Sequence, residues 1–166
     1  MTKWILRLAL LTALATGGLW AWRHLFPGPE QIIRQRLSQI AATASTSGDE
    51  GIIPKAARVQ KLTTFFTPDV QITIEVPGLI TQEISGIDEL TQLAAASRSM
   101  GQAIRVELID VSVTLAPDKL SADAHMTGKA TWPGERTPQV QELKAHLRKV
   151  DGQWLIDRAE TVRTLR

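Results

Sequence analysis

Residues 140–162 read VQELKAHLRKVDGQWLIDRAETV, and this stretch decides the fold because it carries the strongest pattern in the chain. Leu143, Ala145 and Leu147 alternate with Lys144, His146 and Arg148, the two-residue period of a half-buried strand. Asp151-Gly152 accepts the positive φ angles of a two-residue type I′ turn, and Trp154 and Ile156 then resume the alternation. The stretch reads as a β-hairpin. Folding it about Asp151-Gly152 sets Leu147 against Ile156 on one face and His146 against Asp157 on the other, so both strands turn their apolar side chains the same way. That face needs a cover, and Trp154 is read as a plug in the core beneath it.

Upstream, residues 120–132 alternate just as clearly. Leu120, Ala122, Ala124, Met126, Gly128, Ala130 and Trp132 fall on one face, and Ser121, Asp123, His125, Thr127, Lys129 and Thr131 on the other. The small residues of the first face leave room for a helix to approach closely. Residues 104–115 form another strand with a phase break: Ile104, Val106 and Leu108 point one way, then Ile109, Val111 and Val113 the other, which places a β-bulge near Leu108-Ile109. Val70, Ile72, Ile74 and Val76 alternate in a further strand, and Pro77-Gly78 turns the chain into a shorter one over residues 79–85.

Three amphipathic helices can cover the apolar face. Pro29 opens the first, whose stripe is Ile33, Leu37, Ile40 and Ala44. Residues 54–66 make the second, showing Val59, Leu62 and Phe66, with Pro68-Asp69 ending it. Gly86 leads into the third, in which Leu90, Leu93, Ala94 and Ser97 share a face until Gly101. The fold class is α+β, a curved antiparallel sheet wrapped around about three helices.

This order resembles the cone-shaped fold of the nuclear transport factor 2-like superfamily, which includes the SnoaL-like proteins. The likeness is carried by Phe65-Phe66-Thr67-Pro68-Asp69-Val70, by Ile84-Ser85-Gly86-Ile87-Asp88-Glu89-Leu90, by the long strands, and by Asp151-Gly152-Gln153-Trp154-Leu155-Ile156. It covers residues 30–165 and is one of pattern. The resemblance implies a pocket at the wide end of the cone, in a superfamily that spans isomerases, dehydratases, epoxide hydrolases, binding proteins and scaffold domains, so fold says little about chemistry.

Ahead of that domain, residues 4–22 read WILRLALLTALATGGLWAW and would span about 28 Å as a helix at about 1.5 Å per residue, just enough to cross a bilayer. Lys3 and Arg7 favour a cytoplasmic N-terminus, while Trp20, Trp22 and Phe26 suit the far interface. Residues 1–26 are thus expected to be an uncleaved signal anchor, residues 27–29 a linker and residues 30–166 the domain. That layout puts the domain on the extracytoplasmic side of the inner membrane. A cleaved signal peptide, which would give a secreted domain, and a soluble helix are the alternatives.

The net charge of +2 belongs to the first 26 residues, which hold three of the nineteen basic side chains and no acid; sixteen basic against seventeen acidic side chains remain beyond them. A domain near neutrality gives no electrostatic footprint for nucleic acid. Without cysteine there is neither a disulfide nor a thiolate site, and no His, Asp or Glu spacing suits a metal; no cofactor is expected.

Catalysis inside the cone would need acid and base groups there. His125 and His146 point away from the apolar face. Asp110 faces inward if the bulge lies near Leu108-Ile109, and Arg158 and Glu160 share the face of Trp154 and Ile156, where they could pair at the pocket mouth. Asp110 and Glu160 are the candidate catalytic residues; Arg158 and Trp132 are the candidate ligand-binding residues. The leading expectation is a membrane-tethered, non-catalytic binding or scaffold module for a protein partner or a small apolar ligand. The alternatives are an isomerase- or dehydratase-type enzyme using Asp110 or Glu160 with Arg158, and a structural subunit that self-associates through the outer sheet face.

Overall fold

The computed structural model describes residues 27–48, 51–75, 81–99, 101–135 and 137–162. They form, in chain order, α1 (Pro29–Ala44), α2 (Ile52–Thr63), β1 (Phe66–Ile74), β2 (Gln82–Ser85), α3 (Ile87–Ser99), β3 (Arg105–Leu115), β4 (Ser121–Thr131), β5 (Gln139–Val150) and β6 (Gln153–Thr161). The chain divides into two compact units, Met1–Ile32 and Ile33–Arg166. In the first, Pro29 opens α1 where its missing N–H costs nothing, and the Gly28 carbonyl accepts from the N–H groups of Gln31 and Ile32 at 3.0 and 3.1 Å. The expected membrane anchor lies outside the described residues. Among the described residues no helix is long and apolar enough to cross a membrane.

In the second unit the strands make one unclosed sheet in the order β2-β1-β6-β5-β4-β3. Every pairing is antiparallel except β1 with β6, a parallel contact that the alternation alone does not reveal. The closing hairpin turns at Asp151 and Gly152 with φ of 49° and 78°, and Leu147 stands opposite Ile156 as expected.

On the inner face, Val113, Ala122, Ala124, Met126, Ala145, Leu147, Trp154 and Ile156 pack with Ile33 and Leu37 of α1 in one buried cluster. Each large apolar side chain buried there contributes about 1.5–3 kcal/mol. The three alanines supply the close approach. A smaller cluster sets Val70, Ile84 and Leu90 together, with Ile72 and Ile74 of β1 and Ile87 and Leu93 of α3 packed against it.

Four expectations need correction. Helix α2 ends at Thr63, so Phe66 begins a strand, and β1 runs through Pro68-Asp69 with a register shift between Phe66 and Gln71. A proline without an N–H is tolerated where the ladder is already broken. The bulge in β3 falls after Ile109, where Asp110 adopts φ 53°, because aspartate accepts the left-handed region more readily than the β-branched or leucine side chains before it. Asp110 is consequently exposed, and the Val111 carbonyl accepts from Arg34.

The third correction concerns β6. Leu147 pairs with Ile156 but His146 pairs with Arg158, so Asp157 is an extra residue that reverses the strand's phase. Ala159 therefore packs on the core, while Arg158 is exposed and Glu160 stands opposite Lys144. Arg158 and Glu160 do not share the face of Trp154 and Ile156. The fourth is in α3, where Ser97 is exposed and Arg98, 7% exposed, takes the buried position.

Candidate functional site

The interior between α1 and the sheet is filled by apolar side chains, and none of the acid–base candidates enters it. Asp110 projects from the β3 bulge. Glu160 pairs with Lys144 at 3.6 Å, so the expected Arg158–Glu160 pair at a pocket mouth does not form.

The outer sheet face carries the expected His146–Asp157 contact, Nδ1 to Oδ1 at 2.6 Å, in spite of the bulge. Arg148 extends it, with Nε 3.2 Å from Asp157 and Nη2 donating to both Asp69 carboxylate oxygens at 2.8 and 2.9 Å. The Asp69 carboxyl lies below its ordinary value. The nearby Thr67 hydroxyl, which makes no hydrogen bond of good geometry, and the Asp69 main-chain N–H lower it most; Arg148 lowers it further, against desolvation. The pair with Arg148 therefore persists below the usual carboxylate range and is lost as pH falls through the Asp69 pKa. This network ties together the irregular parts of β1 and β6. The Arg148–Asp69 pair lies in solvent, which screens it, so it positions the strands more than it stabilises them.

An open cleft of about 720 Å³ lies where β3 begins and β4 ends. The segment after α1 forms its second wall. Thr46 exchanges two main-chain hydrogen bonds with Ile104 at 2.8 and 3.0 Å, and the Ser45 hydroxyl accepts from the Val106 N–H at 2.9 Å. These bonds cover the start of an edge strand that would otherwise present free backbone groups. Arg58 of α2 closes the end, donating to the Ser45 carbonyl at 3.2 Å.

Across the strands, Arg105 stands opposite Thr131 and Glu107 opposite Lys129. Lys129 and Glu107 approach to 3.5 Å. Successive residues Ala103, Ile104 and Arg105 all line the cleft, so it wraps around the strand ends and takes in both sheet faces. Trp132 lines it too, as the sequence position at the end of the β4 apolar row suggests. Among the described residues of the lining, Arg58, Arg105 and Lys129 are basic and Glu107 is acidic. Neither arginine stands out in the sequence, since no local period links residues 45–47, 58, 105 and 132. Among the described residues no group of three or more His, Cys, Asp or Glu side chains could hold a metal ion.

The SnoaL-like domain family matches residues 51–160, most of the chain. The chain belongs to that family. No curated protein matches this SnoaL-like chain. Among solved structures, it is similar to a nuclear transport factor 2-like protein with a cystatin-like fold from Novosphingobium aromaticivorans, at 16% identity over 97% of this chain and 88% of that one, TM-score 0.61. A nuclear transport factor 2-like protein of unknown function from Pseudomonas putida superposes with TM-score 0.63, at 14% identity over 82% of this chain and 87% of that one. A third, named as a candidate scytalone dehydratase from Novosphingobium aromaticivorans, gives TM-score 0.56 at 14% identity over 81% and 83%. At such identities the likeness shows the fold alone. It agrees with the SnoaL-like helices and curved sheet, and leaves the chemistry to the residues.

Proposed function

We propose that the protein is a non-catalytic binding module that takes its ligand in the cleft at the ends of β3 and β4. The observation that carries this reading is the packing of the cone: Ile33, Leu37, Leu147, Trp154 and Ile156 occupy the interior in which an acid–base site would have to lie. A binding cleft of about 300–1,000 Å³ suits a small organic molecule, and this one has both polar and aromatic lining. Residues 1–26 tether the module to the inner membrane with the domain on the extracytoplasmic side. Sodium carbonate extraction should leave the full chain in the membrane pellet, and protease added outside should degrade the domain; a chain released by carbonate removes the tether. A protein partner or second copy would meet the outer sheet face, where Lys144, Arg148, Asp123 and Lys129 favour a wet, salt-sensitive contact.

An enzyme reading has equal standing on the family alone, because SnoaL-like folds host catalysis and one similar structure is named as a candidate dehydratase. On this chain it would fall to Glu107 and Lys129, the ion pair lining the cleft. One experiment separates the two. A panel of neutral, anionic and cationic small organic molecules is added to the full chain, and both melting temperature and ligand consumption are followed. Binding predicts that one class raises the melting temperature by a few degrees, that Trp132→Ala abolishes the shift, and that no ligand is consumed. Consumption that stops in Glu107→Gln while the shift persists establishes the enzyme reading, and no shift with any class ends the binding reading.

A further inference from the structure

We propose that the start of α2 is a membrane-contact surface, where Ile52 and Ile53 insert into the acyl boundary of the bilayer that holds the chain. The inference rests on the tether proposed above for the nearness of that bilayer, and it is independent of what the cleft binds.

Helix α2 is turned the wrong way round for a surface helix. At about 100° per residue, Ile52, Ile53, Ala56, Ala57, Gln60 and Lys61 fall in one half of its circumference, and all of them are exposed. On the other half Val59 is buried, Leu62, Lys55 and Arg58 are half-buried, and Arg58 donates to the Ser45 carbonyl. Two of the helix's three cations thus lie towards the protein while its outermost apolar side chains point to solvent. Ile52 is 88% and Ile53 84% exposed, the highest values of any large apolar side chain among the described residues. With Ala56 and Ala57 they make a contiguous apolar tip that adds nothing to the core and is a marker of an interaction site.

The shape of this tip selects lipid over protein. A helix that docks in a protein groove offers large anchors at i, i+3 or i+4 and i+7. Here both large side chains sit in the first turn, and the same face continues as Ala56, Ala57, Gln60 and Lys61. Two isoleucines and two alanines also fall well short of the about 800 Å² that each partner gives to a stable protein interface. An acyl layer has no pockets to match and accepts adjacent side chains splayed from a helix tip. The chain supplies the nearness: residues 23–28, between the apolar run and α1, reach about 20 Å at most at about 3.5 Å each. A tethered domain therefore meets the bilayer at high effective concentration, and weak insertion is enough to hold it there. Lys61, at the border of the apolar sector, can carry its ammonium to a lipid phosphate while its stem lies along the apolar surface. Asp49 and Glu50 precede the helix in the sequence and offset two of its cations, so apolar insertion drives the contact and attraction to anionic lipid does not.

The chain has no cysteine, so one introduced cysteine is a unique labelling site. The full chain carrying Ala57→Cys, or Lys149→Cys near the closing turn as the control, is labelled with an environment-sensitive fluorophore and reconstituted in phosphatidylcholine vesicles with and without a nitroxide on the lipid acyl chain. Lipid nitroxide should quench the probe at position 57 at least about threefold more than the probe at 149, and added anionic lipid should change that ratio little. Ile52→Ser with Ile53→Ser should bring the quenching at 57 down to the control's level and leave the thermal midpoint within about a degree, because neither side chain is buried. Ile52→Leu with Ile53→Leu should keep the quenching. Equal quenching at 57 and 149, or quenching that survives the serines, overturns the inference. Shielding of the probe at 57 from aqueous iodide without lipid quenching means that a protein covers the helix, and overturns it as well. Carbonate extraction of the same vesicles reads the tether separately. A chain that resists carbonate without quenching at 57 keeps the tether and loses the inference, whereas one released by carbonate with the quenching retained loses the tether and keeps the contact.

Discussion

Trp154→Ala should lower folding stability by about 3–5 kcal/mol, whereas Trp132→Ala should cost less than about 1 kcal/mol. The two tryptophans are of equal size and differ only in what surrounds them. Trp154 is 3% exposed and packed among Ile33, Leu37, Leu147 and Ile156, so truncation opens a cavity that α1 cannot close without leaving the sheet. Its main chain is fixed as well: Arg36 donates to the Trp154 carbonyl at 3.3 Å and to the Gln153 side chain at 3.0 Å, while its guanidinium lies 4.9 Å from the Phe65 ring centroid. Relaxation around the cavity is therefore limited, which puts the cost at the upper end for core truncations. A domain of this size has about 5–15 kcal/mol of stability in all, so the variant loses a large share of it. Trp132 lies in the open cleft, where water replaces the indole at little cost. Urea unfolding of the full chain, followed by circular dichroism, reads both as shifts of midpoint at unchanged slope. Equal midpoints for the two variants would contradict the assignment of one tryptophan to the core and the other to the site.

The contrast between these residues also marks how far the sequence can be read. Strand alternation identified the hairpin, the turn at Asp151-Gly152 and the apolar row from Ala122 to Met126, because a period of two persists over many residues and a single buried face enforces it. It failed at the bulges. Reading on from Trp154 and Ile156 in steps of two leads to Arg158 and Glu160, yet one extra residue at Asp157 sends both to the outer face and brings Ala159 inward. Likewise the apolar pattern of β3 puts its phase break near Leu108-Ile109, which would turn Asp110 inward, whereas the register shifts after Ile109 and Asp110 is exposed. A bulge is fixed by the backbone angles that one residue tolerates and by which carbonyls find other donors, such as Arg34 at Val111, and no periodicity records either. The cleft was legible only through Trp132. Its other parts come from the segment after α1, from α2 and from β3, brought together by pairing between Thr46 and Ile104.

The buried arginine of α3 leads to the second large effect. Arg98→Met should destabilise the protein by about 1–3 kcal/mol, and Arg98→Ala by about 2–4 kcal/mol. Arg98 continues the row of Leu90 and Ala94 at four-residue spacing, so a core position is filled by a cation, which is costly unless the guanidinium is well partnered. It donates to the Thr43 carbonyl at 2.6 Å, in the last turn of α1, where no intrahelical N–H is available and the helix dipole is negative. Two opposing effects meet in the methionine variant. Removing a buried charge relieves its desolvation and can be neutral when an apolar side chain takes the space. Thr43, however, is 5% exposed, so its carbonyl would stay dry and lose its donor, and that loss decides the sign. Alanine adds a cavity to the same loss. Hydrogen exchange should then show faster opening of the last turn of α1 in both variants, with global unfolding midpoints reduced in the order wild type, Met, Ala. A methionine variant as stable as the wild type, with α1 equally protected, would mean that the guanidinium only recovers its own cost of burial and does not hold the end of that helix.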